Sequence, residues 1–445
     1  MNKALKISLG LLAIVLATAA LALPWYTSRE ADALIQSWAA RPDDARWALR
    51  QVAHQAGWLS SSGTAELQLR SACAQDAGQN NVQNNAQNNA QEPMALRLRY
   101  QISHIPNHLG LNQFSWTLAP AGSPSGSTAQ LTGSGTLGYG GAVSTDMALP
   151  ELNSSGSWQT MRIAPSRGQL RTDGKVLAMQ WSVDDIQLKV GGKALDVQGT
   201  HLHVATDDMQ GLTGSVELSV DAVHAASLSV QGMTVRNEVR EVAQRLNYQQ
   251  SFSAQRLRWM DKTLSEVTLQ GALTGLHAPS VQALASLWSD NCGTADLAPA
   301  QSAVLRKAVR TLLASGFSVG IPSFKARDAD ASVNGTLQIT LRPSAHGEPA
   351  LAEQLESSGE FVIKGGMLTP DQVQLALQTG YAQEVPGGLK LGYHYAAGAL
   401  TVSGQPRDAS LVPMVLTRFD QALNDALSPK RPKPVPMIEE AASAP

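Results

Sequence analysis

The sequence predicts an α+β fold: a mostly antiparallel, curled β-sheet body with covering helices, preceded by one N-terminal transmembrane helix. Three observations lead there. An uncharged apolar run opens the chain, apolar residues then recur at every second position over most of its length, and a few segments show a helical period instead. Charged residues make up only 16% of the 445, against roughly 25% in an average soluble domain. Ser, Thr, Gln, Asn and Gly take their place, as on sheets with one wet side. A net charge of −2 offers no basic field for nucleic acid.

Lys3 and Lys6 precede the uncharged run Ile7–Leu23. A spanning helix takes ~17–25 residues and a signal-peptide core ~7–15, so this run sits on the border. Ala20-Leu21-Ala22 suits a cleavage site, whereas Trp25 and Tyr26 stand where interfacial aromatics hold a retained helix. The balance favours residues 1–27 as a membrane anchor or uncleaved signal, with the lysines in the cytoplasm and the rest exported. Residues 28–58 read as a helical stalk. Ser28 can cap a first helix, Pro42 stops it, and "ARWALRQVAHQAG" gives a second one closed by Gly57.

Residues 59–427 form the β-rich body. Leu67 and Leu69 alternate, as do Leu96, Leu98, Tyr100 and Ile102, then Phe114, Trp116 and Leu118. Between the first two runs lies "NNVQNNAQNNAQ", too polar to build a core, so 78–93 reads as a disordered hairpin insertion. Leu177, Met179, Trp181 and Val183 face one way, and Ile186, Leu188 and Val190 take the opposite parity. That slip across "VDDI" fits a bulge or a tight turn at Asp184-Asp185. Val216, Leu218 and Val220 form a further set. Helices are expected over "VRNEVREVAQRLNY", "PAQSAVLRKAVRTLLASG", "PDQVQLALQTGYA" and Leu411 to Leu427. Between them, Leu337, Ile339 and Leu341 alternate again. The tail 428–445, rich in Pro and Ala, reads as unstructured.

The search for chemistry yields little. The chain has no P-loop, C-x-x-C or H-E-x-x-H, and no cofactor motif. "GSGTLG" at 133–138 has phosphate-loop spacing but no helix after it, so it reads as a flexible turn. His201 and His203 form an H-x-H on a strand and read as two solvated imidazoles rather than metal ligands. The pairs Asp184-Asp185 and Asp207-Asp208 read as turn residues. Cys73 and Cys292 are a candidate disulfide, which needs their α-carbons within ~7 Å. These observations argue against an enzyme.

"WYT" after the apolar run, "AGWLSSSGTAELQL", "SVGIPSFKARDADASVNGTLQITL" and "GYHYAAGALTVSG" occur in an order that resembles the YdgA-like family of bacterial envelope proteins. The resemblance implies an inner-membrane protein with one anchor, through residues 7–23, and a large periplasmic body. It assigns no catalytic residues. Two functional readings stay open. One is a structural or interaction module of the envelope, self-associating as a homo-oligomer. The other is lipid handling by an apolar concave groove lined by Met179, Trp181, Val216, Leu218, Leu337, Ile339 and Leu341.

Overall fold

A computed structural model describes residues 28–29, 33, 36, 47–69, 94–108, 110–121, 130–156, 158–208, 213–260, 262–291, 297–366 and 368–428. Its body is one antiparallel sheet of 22 strands. The first nine are β1 (Trp47–Gln55), β2 (Ser60–Leu69), β3 (Met94–Ser103), β4 (Asn112–Pro120), β5 (Leu131–Leu137), β6 (Val143–Leu149), β7 (Leu152–Ser155), β8 (Gln159–Ile163) and β9 (Ser166–Thr172). Longer ones follow: β10 (Leu177–Val190), β11 (Lys193–Thr206), β12 (Gly214–Ala225), β13 (Leu228–Val242), β14 (Arg245–Trp259) and β15 (Lys262–His277). The C-terminal group is β16 (Phe317–Arg327), β17 (Ser332–Leu341), β18 (Leu355–Lys364), β19 (Ala382–Val385), β20 (Gly388–Ala396), β21 (Ala399–Val402) and β22 (Gln405–Arg407).

The path is nearly a pure meander. β1 to β6 pair in order, β9 follows β6, and β10 to β18 continue in order to β20. The β7–β8 hairpin adds to the far half of β10, and β19 and β21 share the outer edge of β20. β2 and β3 pair directly up to Leu69 opposite Met94, as expected of a hairpin around the Asn/Gln insertion.

Several expectations need correction. The helix-covered α+β body is instead a sheet-dominated one. Helices at Ala278–Asn291, Pro299–Ser315, Leu351–Gln354, Pro370–Gln378 and Leu411–Leu427 pack only on its C-terminal strands and on one another. No helix among the described residues is long and apolar enough to cross a membrane. Residues 1–27, the insertion at 78–93, Cys73, Cys292 and the tail past Ser428 lie outside the described residues. The stalk's second helix is the edge strand β1, because Ala48 and Leu49 pair with Gln68 and Leu67, and tertiary pairing overrides an Ala-rich helical propensity. Only Ser28, Arg29, Ala33 and Gln36 are described upstream, all helical, and Ser28 Oγ donates to the Gly57 carbonyl (3.1 Å).

"VRNEVREVAQRLNY" is likewise a hairpin, made by the end of β13 and the start of β14. Val235 and Val239 sit four apart, a spacing that puts side chains on one face of a strand as readily as of a helix. Ala243 and Gln244 form the corner at φ 50° and 61°. Such corners usually carry Asn-Gly or Asp-Gly, so the turn leaves no local mark. "GSGTLG" is strand β5 rather than a turn.

The parity slip in β10 is a bulge, and it is shared by the strands from β10 to β15. Val183 pairs Thr200 and Asp185 pairs Gln198, while Asp184 and Gly199 between them are skipped. The same skip recurs at Asp221 opposite Gly232 and at Gln255 opposite Glu266. Gly199, Gly232 and Glu266 carry φ of 61°, 58° and 50° along this crease. Each strand inserts one residue at the same row, so the pairing register is unchanged while the apolar side chains keep to one face. Met233 and Leu257, from opposite sides of the crease, therefore pack on one cluster of Val230, Ala254, Val267 and Ala326.

Candidate functional site

Directly paired residues of an antiparallel sheet share a face. One row can be followed across sixteen strands. It begins Gly63–Tyr100–Trp116–Gly133–Met147–Gly168–Trp181–Leu202. It continues Leu218–Val235–Phe252–Leu269–Phe324–Gly335–Phe361–Leu391. No charged side chain interrupts it. Tyr100 lies over Gly63, Trp116 over Gly133, Trp181 over Gly168 and Phe361 over Gly335, and a Cβ on any of these glycines would enter the ring beside it. Each large ring thus fills the space a neighbouring glycine leaves, which stiffens the row. Trp116 Nε1 also donates to Thr145 Oγ1 at 3.2 Å.

All seven residues of the predicted groove lie on this face. Trp181 and Leu218 belong to the row itself, and Met179 and Val216 flank it, each opposite Val204. Leu337, Ile339 and Leu341 follow Gly335 at alternate positions on β17. They do not face the first four across a core, because five strand spacings of ~4.8 Å, about 24 Å, separate β12 from β17. Leu341 is buried, whereas Val216 and Ile339 remain 39% and 37% exposed.

The opposite face is polar, and over β5, β6 and β9–β12 it forms a hollow of about 930 Å³. Two ladders floor it, Thr132–Ala148–Arg167–Ser182–His201–Ser219 and Ser134–Asp146–Gln169–Gln180–His203–Glu217. His201 and His203 are exposed there. Among the described residues no group of three His, Cys, Asp or Glu side chains could hold a metal ion. Glu217 reaches Arg236 at 3.9 Å. Met147, Trp181 and Leu202 also line the hollow, so it presents polar and apolar surface together.

Two further clusters escaped the sequence reading. Ser61 Oγ lies 2.6 Å from His104 Nε2, and His104 Nδ1 lies 3.3 Å from Asn112 Oδ1. An amide oxygen only accepts, so Nδ1 carries the proton and Nε2 accepts the serine hydroxyl. The order copies a nucleophile, base and orienter. All three are shielded, however, with Ser61 1% and His104 0% exposed, so the cluster fastens β2 to β4 and the segment between β3 and β4. Their separation in sequence left no signal. The other cluster is a carboxylate pair. Asp185 stands within β10 rather than in a turn, and its proton affinity is raised first by withdrawal from water and then by Asp196, with Arg162 opposing at 3.8 Å. Asp207-Asp208 do sit between strands β11 and β12.

A family model described as a bacterial protein of unknown function, DUF945, matches residues 1–369. The chain belongs to this family. The match to DUF945 takes in the apolar row as far as Phe361, the crease and the polar hollow. No curated protein and no solved structure matches this DUF945 chain.

Proposed function

We propose that this DUF945 protein is a non-enzymatic lipid-handling component of the bacterial envelope, with the apolar sheet face as a track for acyl chains. The YdgA-like resemblance and the apolar segment 7–23 support a periplasmic body tied to the inner membrane. One observation carries the lipid reading: an apolar row crosses sixteen strands, and among the described residues no helix packs extensively on β10 to β14. Val216, at 39% exposure, leaves apolar surface open along that span. Contiguous apolar surface of this extent on a folded chain marks a binding face. The row's fifteen strand spacings, on the order of 70 Å at ~4.8 Å each, exceed any single acyl chain, so the face suits several chains or one in transit.

Mass spectrometry of organic extracts from the purified protein should find phospholipid, and Leu218→Asp should remove most of it without unfolding the sheet. Recovery of detergent alone would overturn the reading. A reporter fused after Tyr26 should be active only on the periplasmic side.

A second reading, self-association, is favoured by the open sheet. Among the described residues, β1 pairs only with β2, so it is an edge strand of the sheet. In-cell crosslinking that traps dimers in the wild type but not in a Val52→Pro variant would support it.

A further inference from the structure

The helix Leu411–Leu427 has its apolar side facing out. Leu411, Met414, Val415 and Phe419 are 68%, 48%, 58% and 61% exposed. At 100° per residue they fall within one arc with Val412, and Arg418 lies inside it. The other side is fastened. Both Asp420 carboxylate oxygens accept from the backbone, one from Leu351 N at 2.7 Å and one from Ala352 N at 3.1 Å. Leu427 is buried, and its carbonyl accepts from Arg310 Nη2 at 3.4 Å. With the inner side committed to these bonds, the helix cannot roll its outer residues into the body.

We propose that this helix docks on the surface of an anionic phospholipid bilayer. Two observations select that occupant. Lys430, Arg431 and Lys433 follow the helix within six residues of its end, and the next acidic residue is Glu439. A basic cluster that follows an amphipathic helix in sequence draws anionic headgroups while the apolar side chains of the helix enter the interface. A second copy fits less well. The helix of 17 residues is about 25 Å long, and a stripe about 10 Å wide offers roughly 250 Å². A stable dimer takes about 800 Å² from each partner. Arg418 can extend its guanidinium to the headgroups while its stem stays among the apolar residues, and Asp425 lies in the same arc two turns further toward the C-terminal end. The proposal stands on this helix alone and not on the lipid track.

The test uses the full chain reconstituted in nanodiscs, read by hydrogen exchange. Segment 7–23 is common to every sample and cancels. In discs of phosphatidylethanolamine and phosphatidylglycerol, amides of 411–427 should exchange about tenfold more slowly than in pure phosphatidylcholine. Val415→Glu/Phe419→Glu should abolish that protection. Lys430→Gln/Arg431→Gln/Lys433→Gln, which leaves the helix untouched, should abolish its dependence on lipid charge. Equal exchange in both disc types for the wild-type chain overturns the proposal. Protection that instead rises with the number of copies per disc also overturns it, in favour of self-association.

Discussion

The two ends of the long meander are held together differently. From β15 onward, helices pack on parts of the sheet, at β15, β17 and β19. Leu341, Leu389, Tyr395, Ala308 and Leu427 are buried there, and Gln354 sits at the junction with 3% exposure. Its side chain donates to the Leu313 and Arg342 carbonyls and accepts from Ala350 N. Between β10 and β14 there is no such cover, and one small cluster around Val230 and Ala254 stands in for a core. Strands of 12 to 15 residues compensate by their length, since every added pair contributes a cross-strand contact and every second pair two backbone bonds. A sheet can therefore stay ordered with one face open, provided its strands are long and its irregularities are shared in register.

The sharpest way to break that comparison is at the covered end. Gln354→Ala would take this partner from the Arg342 carbonyl and the Ala350 N–H, while the Leu313 carbonyl keeps its bond from Gly316 N, and should cost about 2–4 kcal/mol, at ~1–3 kcal/mol for each group left unsatisfied. Urea unfolding would read this as a lower midpoint, with the loss confined to exchange protection beyond β15. In the open middle, Gly232→Val should cost about 2–3 kcal/mol. Its φ of 58° is closed to a β-branched residue, and a Cβ would strike the Gln255 side chain. The expected signature is lost protection along the whole crease from β11 to β15. A loss limited to β13 would mean the bulges are independent of one another.

The smallest effect concerns Asp185. Its folded-state proton affinity is raised above the ordinary carboxylate value of 3.8 by withdrawal from water and by Asp196. A carboxyl that holds its proton more tightly when folded adds stability at low pH, and that stability is lost as pH rises through the raised value. Asp185→Asn should therefore raise the melting temperature at pH 7 and leave it nearly unchanged at pH 3. An equal rise at both pH values would show that charge repulsion with Asp196 is not the cause.

Much of the sheet was legible because alternation survives in each strand by itself. Met179, Trp181, Val216 and Leu218 were placed on one face from their spacing alone, and the helices at 299–315, 370–378 and 411–427 announced themselves by a period near 3.6. The hairpin at Ala243-Gln244 was not legible, because a spacing of four is common to both structures and its corner lacks glycine. Ser61, His104 and Asn112 were invisible as a group, since nothing local to any of them names the other two.

By itself the sequence determined the pleated character of the body and the apolar side of each strand, because side-chain alternation is a local property. Only the tertiary structure decided that glycines sit opposite aromatic rings, that the bulges align in a single crease, and that helices cover one end alone. Those features depend on which strand lies beside which. Pairing of that kind is settled by contacts between residues far apart in the chain, whose register no single segment encodes.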